Sequence, residues 1–266
     1  MTVPIQGAVV GRQAGFQRDI ASVAGRALRQ IRREPTSVIP AIFVPAFFYA
    51  VNLGALENVA SHVSGFDYKA FLIPMAIAFA VTGMSRAPAL VTDIQDGYFD
   101  RLCLTPIRRS ALLLGLMVAD VVVLVLLCIP ILVVGFAEGV RFETGLGGLV
   151  LFVIICGLWG LVFTGFPYAV ALRTGNPAAV NACFVIFFPL FFLTDAVIPK
   201  EALTGWFSTV ATYNPVTYLL GSLRSLITTG WNCAALIDGL VALAAVGSLS
   251  MSLAFSALRS RVRRGE

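Results

Sequence analysis

Residues 202–223 read ALTGWFSTVATYNPVTYLLGSL. The stretch is free of charge and long enough to cross a bilayer, yet it is crowded with Thr, Ser, Gly and Tyr and interrupted at Asn214–Pro215. A proline there removes a backbone hydrogen bond and biases Asn214 away from helical geometry. Whether this segment crosses decides between a six-span and a seven-span fold. With six spans both termini share a side. That side holds Arg12, Arg18, Arg26, Arg29, Arg32, Arg33, Arg86, Arg101, Arg108, Arg109, Arg173, Arg259, Arg261, Arg263 and Arg264, against Lys69, Arg141, Lys200 and Arg224 on the other. A seventh span would move the four C-terminal arginines across. The 15-to-4 split is the positive-inside pattern. The reading is therefore six spans, cytoplasmic termini, and two external half-helices over 199–223 hinged at Asn214 and Pro215. Backbone that dips at such a break is tolerated only within protein or a water-filled cavity.

Working outward, the composition agrees. The 266 residues are 58% hydrophobic and 12% charged, against about 45–50% and about 25% in a soluble domain. An ordinary soluble enzyme and a disordered chain are excluded. The gaps between charges mark the spans. Residues 35–56, 144–172, 174–194 and 239–258 hold no charge, 70–92 hold only Arg86, and 110–137 only Asp120. Each gap suffices for a helix across about 30 Å of hydrocarbon at about 1.5 Å per residue. The expectation is an all-α integral membrane protein. A cytoplasmic segment, 1–36, precedes a six-helix transmembrane domain, 37–258. The spans fall at about 37–57, 70–92, 111–136, 146–171, 176–195 and 235–258, and a basic cytoplasmic tail occupies 259–266. The first 36 residues hold no apolar core of signal-peptide type.

Residues 17–34 differ in kind. Ile20, Val23, Ala27, Leu28 and Ile31 recur at helical spacing, flanked by Arg18, Arg26, Arg29, Arg32 and Arg33, and Pro35 ends the run. This predicts a helix lying in the membrane interface, apolar side down, with its arginines at anionic headgroups. It serves either as a surface anchor or as an elbow helix that also meets a cytoplasmic partner through Arg26, Arg29 and Arg33.

Catalytic and metal chemistry is missing from the pattern. No lysine follows a glycine as a phosphate-binding loop requires, since Lys69 follows Tyr68 and Lys200 follows Pro199. If ATP drives the protein, another polypeptide must bind it. His62 is the single histidine and is expected in an external loop. The five cysteines, Cys103, Cys128, Cys156, Cys183 and Cys233, form no C-x-x-C pair. No metal, cofactor or nucleic-acid partner is expected. The net charge of +5 is explained by retained cytoplasmic arginines.

Inside the membrane, ionisable residues are functional candidates. Asp120 lies about 15 Å into its span. It could meet a cationic substrate, or pair with Arg86 or with a Ser or Thr of a neighbouring helix. Arg86 could snorkel outward. Asp195 and Asp238 are expected to be solvated near the external surface. Gly157, Gly160 and Gly165 suit close helix approach. The phenylalanines of 184–192 suit packing or lipid contact rather than drug stacking.

Between the second and third spans lies Asp93–Ser110, DIQDGYFDRLCLTPIRRS. Tyr98, Phe99 and Leu102 could form the face of a short amphipathic helix. This loop resembles the type-2 permease subunits of ABC transporters, in particular the drug-resistance and antibiotic-export branch. The matching residues are Asp96, Gly97, Leu102, Thr105, Pro106, Ile107 and Arg109. The family's start is usually glutamate-rich, whereas here Asp93 and Asp96 stand. Pro199, Trp206, Asn214–Pro215, Thr217 and the following arginine resemble the family's external segment. The resemblance implies a bacterial plasma-membrane permease that pairs with a second permease copy, identical or homologous. Each docks an ATP-binding cassette subunit that carries ATP and Mg. Asp93, Asp96, Gly97, Tyr98, Leu102, Thr105 and Pro106 would form the ATPase-coupling loop 93–110. The implied cargo is an amphiphilic drug or secondary metabolite, with a lipid or polysaccharide as the alternative. An ion-coupled secondary transporter would need broken helices in matching positions, and only the 214–215 break is visible. A non-transporting membrane scaffold is a third rival.

Overall fold

A computed structural model describes residues 15–33, 38–64, 67–103 and 108–264. Among them the chain is helical and without strands: α1 (Phe16–Arg33), α2 (Val38–Ser64), α3 (Tyr68–Thr82), α4 (Ala87–Gln95), α5 (Tyr98–Cys103), α6 (Arg109–Ala137), α7 (Gly145–Thr174), α8 (Pro177–Phe192), α9 (Gly205–Tyr213), α10 (Pro215–Thr228) and α11 (Cys233–Arg264). Four runs are long and apolar enough to cross a membrane: Tyr68–Gln95, Arg109–Ala137, Gly145–Thr174 and Cys233–Arg263. Ile39–Ala55 and Pro177–Phe192 are shorter apolar helices. The all-helical membrane architecture is thus as expected.

Local chemistry sets the boundaries. Asp67 accepts from the amides of Lys69 and Ala70 at the start of α3. Gly175 ends α7 in the left-handed region, φ +57°. Asn176 caps α8, with Pro177 supplying its preset φ in the first turn.

The bundle packs around two apolar cores. One joins α3, α6, α7 and α10 through Met75, Ile77, Leu124, Trp159 and Leu223. The other joins α1, α4, α6, α7 and α11 through Ala27, Leu90, Met117, Tyr168 and Ala257. Glycines bring the helices close, as expected of the fourth span. A Cβ at Gly160 would collide with Leu124 and Val81, and one at Gly165 would stand 2.9 Å from the Ser250 carbonyl. There the Ser250 hydroxyl donates to the Val162 carbonyl across the α7–α11 contact.

Several sequence expectations need correction. The 70–92 span is two helices, parted at 83–86. Helix α2 runs to Ser64, so His62 lies in a helix and not in a loop. Helix α11 continues unbroken through Arg264, and Arg261 in this extension donates to the Leu172 carbonyl at 3.4 Å. The 199–223 segment does divide into α9 and α10 at Asn214. However, α10 is embedded in the bundle, with Leu219, Leu220, Leu223 and Leu226 buried. The apolar side of α1 is covered by α6 and not left to lipid. Gly115 makes the space, because a Cβ there would lie 2.6 Å from Val23 Cβ and 3.1 Å from the Ile20 carbonyl.

Candidate functional site

The break between α3 and α4 organises the α1 end of the bundle. Breaking a helix leaves amides without partners, and the chain supplies substitutes. The Ser85 hydroxyl oxygen accepts from the Ala87 amide at 3.1 Å, and Pro88 has no amide to satisfy. The Arg86 amide donates to Asp120 Oδ1 at 3.2 Å. The Tyr168 hydroxyl donates to Asp120 Oδ2 at 2.7 Å. Asp120 is buried, and both oxygens hold the break against α6 and α7. Asp120 thus meets Arg86 through its main chain and not as an ion pair, and its second contact, Tyr168, was not among the sequence expectations.

Arg86 does not snorkel. Its side chain is 7% exposed. It turns under α1, where its two terminal nitrogens donate to the Ala27 carbonyl and to Gln30 Oε1. One arginine thus ties the broken helix to α1.

On the outer side of α1, Arg26 makes a two-pronged contact with Asp93, Nη2 to Oδ1 and Oδ2 at 2.9 and 2.7 Å. The same guanidinium lies 4.0 Å over the ring of Tyr98. Between them Gly97 adopts φ +67°, a left-handed conformation that favours glycine. It turns α4 into α5. Space is not the reason for glycine here, since nothing lies within 4 Å of a Cβ at this position.

The face expected to be offered to a partner therefore points differently. Tyr98 is covered by Arg26, Phe99 is buried, and Leu102 packs against the second core. Burial of apolar rings on the nearest core outweighs their display. Asp96, Arg101 and Arg29 are exposed. The Arg33 side chain, Thr105 and Pro106 lie outside the described residues.

A cavity of about 690 Å³ opens at the break. Arg86, Ser85, Gln30 and Asn181 supply its polar lining, and Val44, Met84, Phe79 and Phe184 are among its apolar walls. An apolar cavity of about 540 Å³ shares Phe79, Gly83 and Phe184 and adds Phe187, Phe188 and Phe191. The 184–192 phenylalanines pack as expected, with Phe163–Phe187 centroids 4.7 Å apart, and also form cavity wall. Sequence reading missed this site. Its signal was present in Gly83, Arg86 and Pro88 within one apolar run.

At the opposite end, Asn214 caps α10 by accepting from the Val216 amide at 3.0 Å, and its amide group donates to the carbonyls of Leu190 and Leu193. Pro215 then begins α10. Asp195 is not solvated but buried against Arg224, while Asp238 is exposed.

Residues 18–228 match the family described as ABC-2 type transporter. The chain belongs to that family. The matched range takes in α1, the broken α3–α4 pair, the Gly97 turn and the Asn214 hinge, so each of these features lies within the family's extent. Among its relatives, the chain is similar to a probable doxorubicin resistance ABC transporter permease protein, DrrC, of Mycobacterium tuberculosis (strain H37Rv). The two are 26% identical over 210 residues, 77% of this chain and 75% of that protein. It is also similar to the daunorubicin resistance ABC transporter permease protein DrrB1 of Streptomyces coeruleorubidus, 25% identical over 205 residues, 76% of this chain and 72% of the relative. An ABC-2 chain is a multi-pass membrane transport subunit, and the ATPase resides on separate subunits of the transporter.

Proposed function

We propose that this chain is the permease of an exporter that moves an amphiphilic drug or secondary metabolite out of a bacterial cell. A cassette subunit binding ATP and Mg would power it, and a second permease copy, identical or homologous, would complete the pathway. The spans in this reading are α2, the α3–α4 pair, α6, α7, α8 and α11. Helix α1 is the elbow, α9 and α10 form the external half-helices, and both termini with residues 93–110 are cytoplasmic. The 15-to-4 division of basic residues supports that orientation.

One observation carries the mechanism: Arg86 bonds α1 and at the same time lines the cavity. Helix α1 is in turn clamped to the 93–98 turn by Arg26. A cassette closing on ATP would push α1 and the turn as one body, and Arg86 would carry that displacement to the cavity. This is a two-state element biased by differential ATP binding on another subunit. The relatives named for doxorubicin and daunorubicin resistance support an amphiphilic cargo.

The test is uptake of a fluorescent amphiphile into inverted membrane vesicles. ATP-dependent accumulation is expected only when permease and cassette are co-expressed, and Val44→Trp, which puts a larger ring on the cavity wall, should sharply reduce it. Uptake that survives Val44→Trp at normal expression would remove the cavity from the pathway. ATP hydrolysis by the purified chain alone would end the subunit reading.

A further inference from the structure

The charge on the cavity's own lining is one-sided. Of its described lining residues only Arg86 is charged, and no carboxylate is among them. The Arg86 guanidinium is buried on neutral acceptors, its Nε has no hydrogen-bond partner, and the ion pairs among the described residues are Arg26–Asp93, Lys69–Glu138 and Arg224–Asp195. Asp120 and Asp93 attract the Arg86 charge from outside the lining, but neither bonds its guanidinium: Asp120 accepts from the Arg86 amide, and Asp93 is held by Arg26. A buried cation without a bonded anion is costly, and an anion brought into the adjoining cavity relieves it.

Helix polarity adds to the same sign. Three helices begin at this cavity, each contributing lining residues from its first turn: Pro40 and Ala41 of α2, Pro88 and Ala89 of α4, and Pro177 of α8. Helix starts carry partial positive charge and attract anions. Beyond Arg86 and the neutral polar groups of Gln30, Ser85, Thr92 and Asn181 the walls are apolar, and Phe79 and Phe184 continue into the second, almost wholly apolar cavity. A polar cationic end followed by an aromatic trough is complementary to a head and a tail.

We infer that the cavity takes the acidic head group of an amphiphile, a carboxylate or phosphate placed at Arg86, with its tail along Phe79 and Phe184. The assignment rests on the reading of this cavity as the cargo site and names the charge class of the cargo. A cationic head would meet Arg86 and three helix starts of like sign, so the assignment separates this chain's cargo from the amine-bearing drugs for which its relatives are named. The acidic amphiphile could be a free solute or an anionic membrane lipid, which share this chemistry.

The experiment measures binding of dodecyl phosphate and dodecyltrimethylammonium to the purified full-length chain in phosphatidylcholine nanodiscs. Wild type should bind the phosphate at least about ten-fold more tightly, as expected for charge-assisted hydrogen bonds to a guanidinium. Arg86→Gln should erase that preference. Because Arg86 also holds α1, Val44→Trp provides a variant that leaves the guanidinium in place, and it should lose the phosphate probe. Equal binding of both probes by wild type, or preference for the ammonium, overturns the acidic assignment. If Val44→Trp then abolishes that binding, the cargo-site reading survives alone. Binding of neither probe overturns both. Native mass spectrometry of chain from nanodiscs containing phosphatidylglycerol separates the sources. Retention of that lipid by wild type and its loss in Val44→Trp identify a lipid head, and phosphate-probe binding unaffected by the lipid identifies a free solute.

Discussion

Arg224 Nη1 lies 2.6 Å from Asp195 Oδ2, and only about a tenth of either side chain is exposed. The same guanidinium donates to the carbonyls of Asp195, Ala196 and Phe71 and stacks 3.5 Å over the Phe71 ring. It thereby joins α10, the chain after α8, and the start of α3. Removing one partner of a buried pair leaves the other charge uncompensated, at about 3–5 kcal/mol. Arg224→Gln and Asp195→Asn should each sharply lower the yield and melting temperature of the detergent-solubilised chain, followed by fluorescence-detected size exclusion. Arg224→Lys should not rescue it, because an ammonium cannot reproduce the flat fork. Wild-type melting of Arg224→Gln would show that the pair is dispensable.

The α7–α11 contact predicts a contrast between two glycines. At Gly165 a methyl group would meet Ser250 backbone, which cannot rotate aside. Gly165→Ala should therefore destabilise by about 1–3 kcal/mol. Gly221 in α10 has nothing within 4 Å of a Cβ. Gly221→Ala should be neutral or stabilising by up to about 1 kcal/mol through helix propensity. Thermal melting of the two variants side by side checks this, and the reverse order would contradict the packing.

What was legible in the sequence was local. Charge spacing marked the apolar helices and Asn214–Pro215 marked the hinge; Gly97, singled out only by its match to the family loop, has positive φ. What escaped depends on partners far away in the chain. Gly83, Arg86 and Pro88 hint at the 83–86 break, but the length of the apolar run around them masks it. The groups that hold it lie far off in the chain: Asp120 is 34 residues from Arg86 and Gln30 is 56, while Tyr168 is 48 residues from the Asp120 it bonds. Such a break needs them because unpaired buried amides are rare. Arg224 was counted as an external charge because Asp195, 29 residues away, could not be seen as its partner. The covered face of α1 was invisible for the same reason, since Gly115 lies on a different helix.

Topology gives a direct check. In a cysteine-free background, Ser22→Cys and Val262→Cys should resist an impermeant maleimide applied outside intact cells and react after permeabilisation. Asn232→Cys, exposed between α10 and α11, should react from outside. External labelling at residue 262 would overturn the six-span orientation and place α11's basic extension on the wrong side.

The coupling surface is tested by the clamp that shapes it. Arg26 and Asp93 are partly exposed, so their pair contributes little to stability, about 0–1 kcal/mol. Arg26→Glu or Asp93→Arg should therefore leave membrane abundance near wild type. Either change sets like charges against each other and frees Tyr98 from Arg26, so the 93–98 turn no longer moves with α1. Transport and drug-stimulated ATP hydrolysis by the co-purified complex should fall several-fold, and the swapped pair Arg26→Glu/Asp93→Arg should recover part of both. Gly97→Val acts on the same turn through its backbone, costing about 1–2 kcal/mol at a positive φ. Leu102→Asp is a harsher probe than its loop position suggests, because Leu102 packs on the second core and a charge there would also loosen α5. Glu143→Gln, exposed at the opposite end of the bundle, is the control that should change nothing. Full transport and full ATPase co-purification by both Arg26→Glu and Gly97→Val would show that the cassette docks elsewhere.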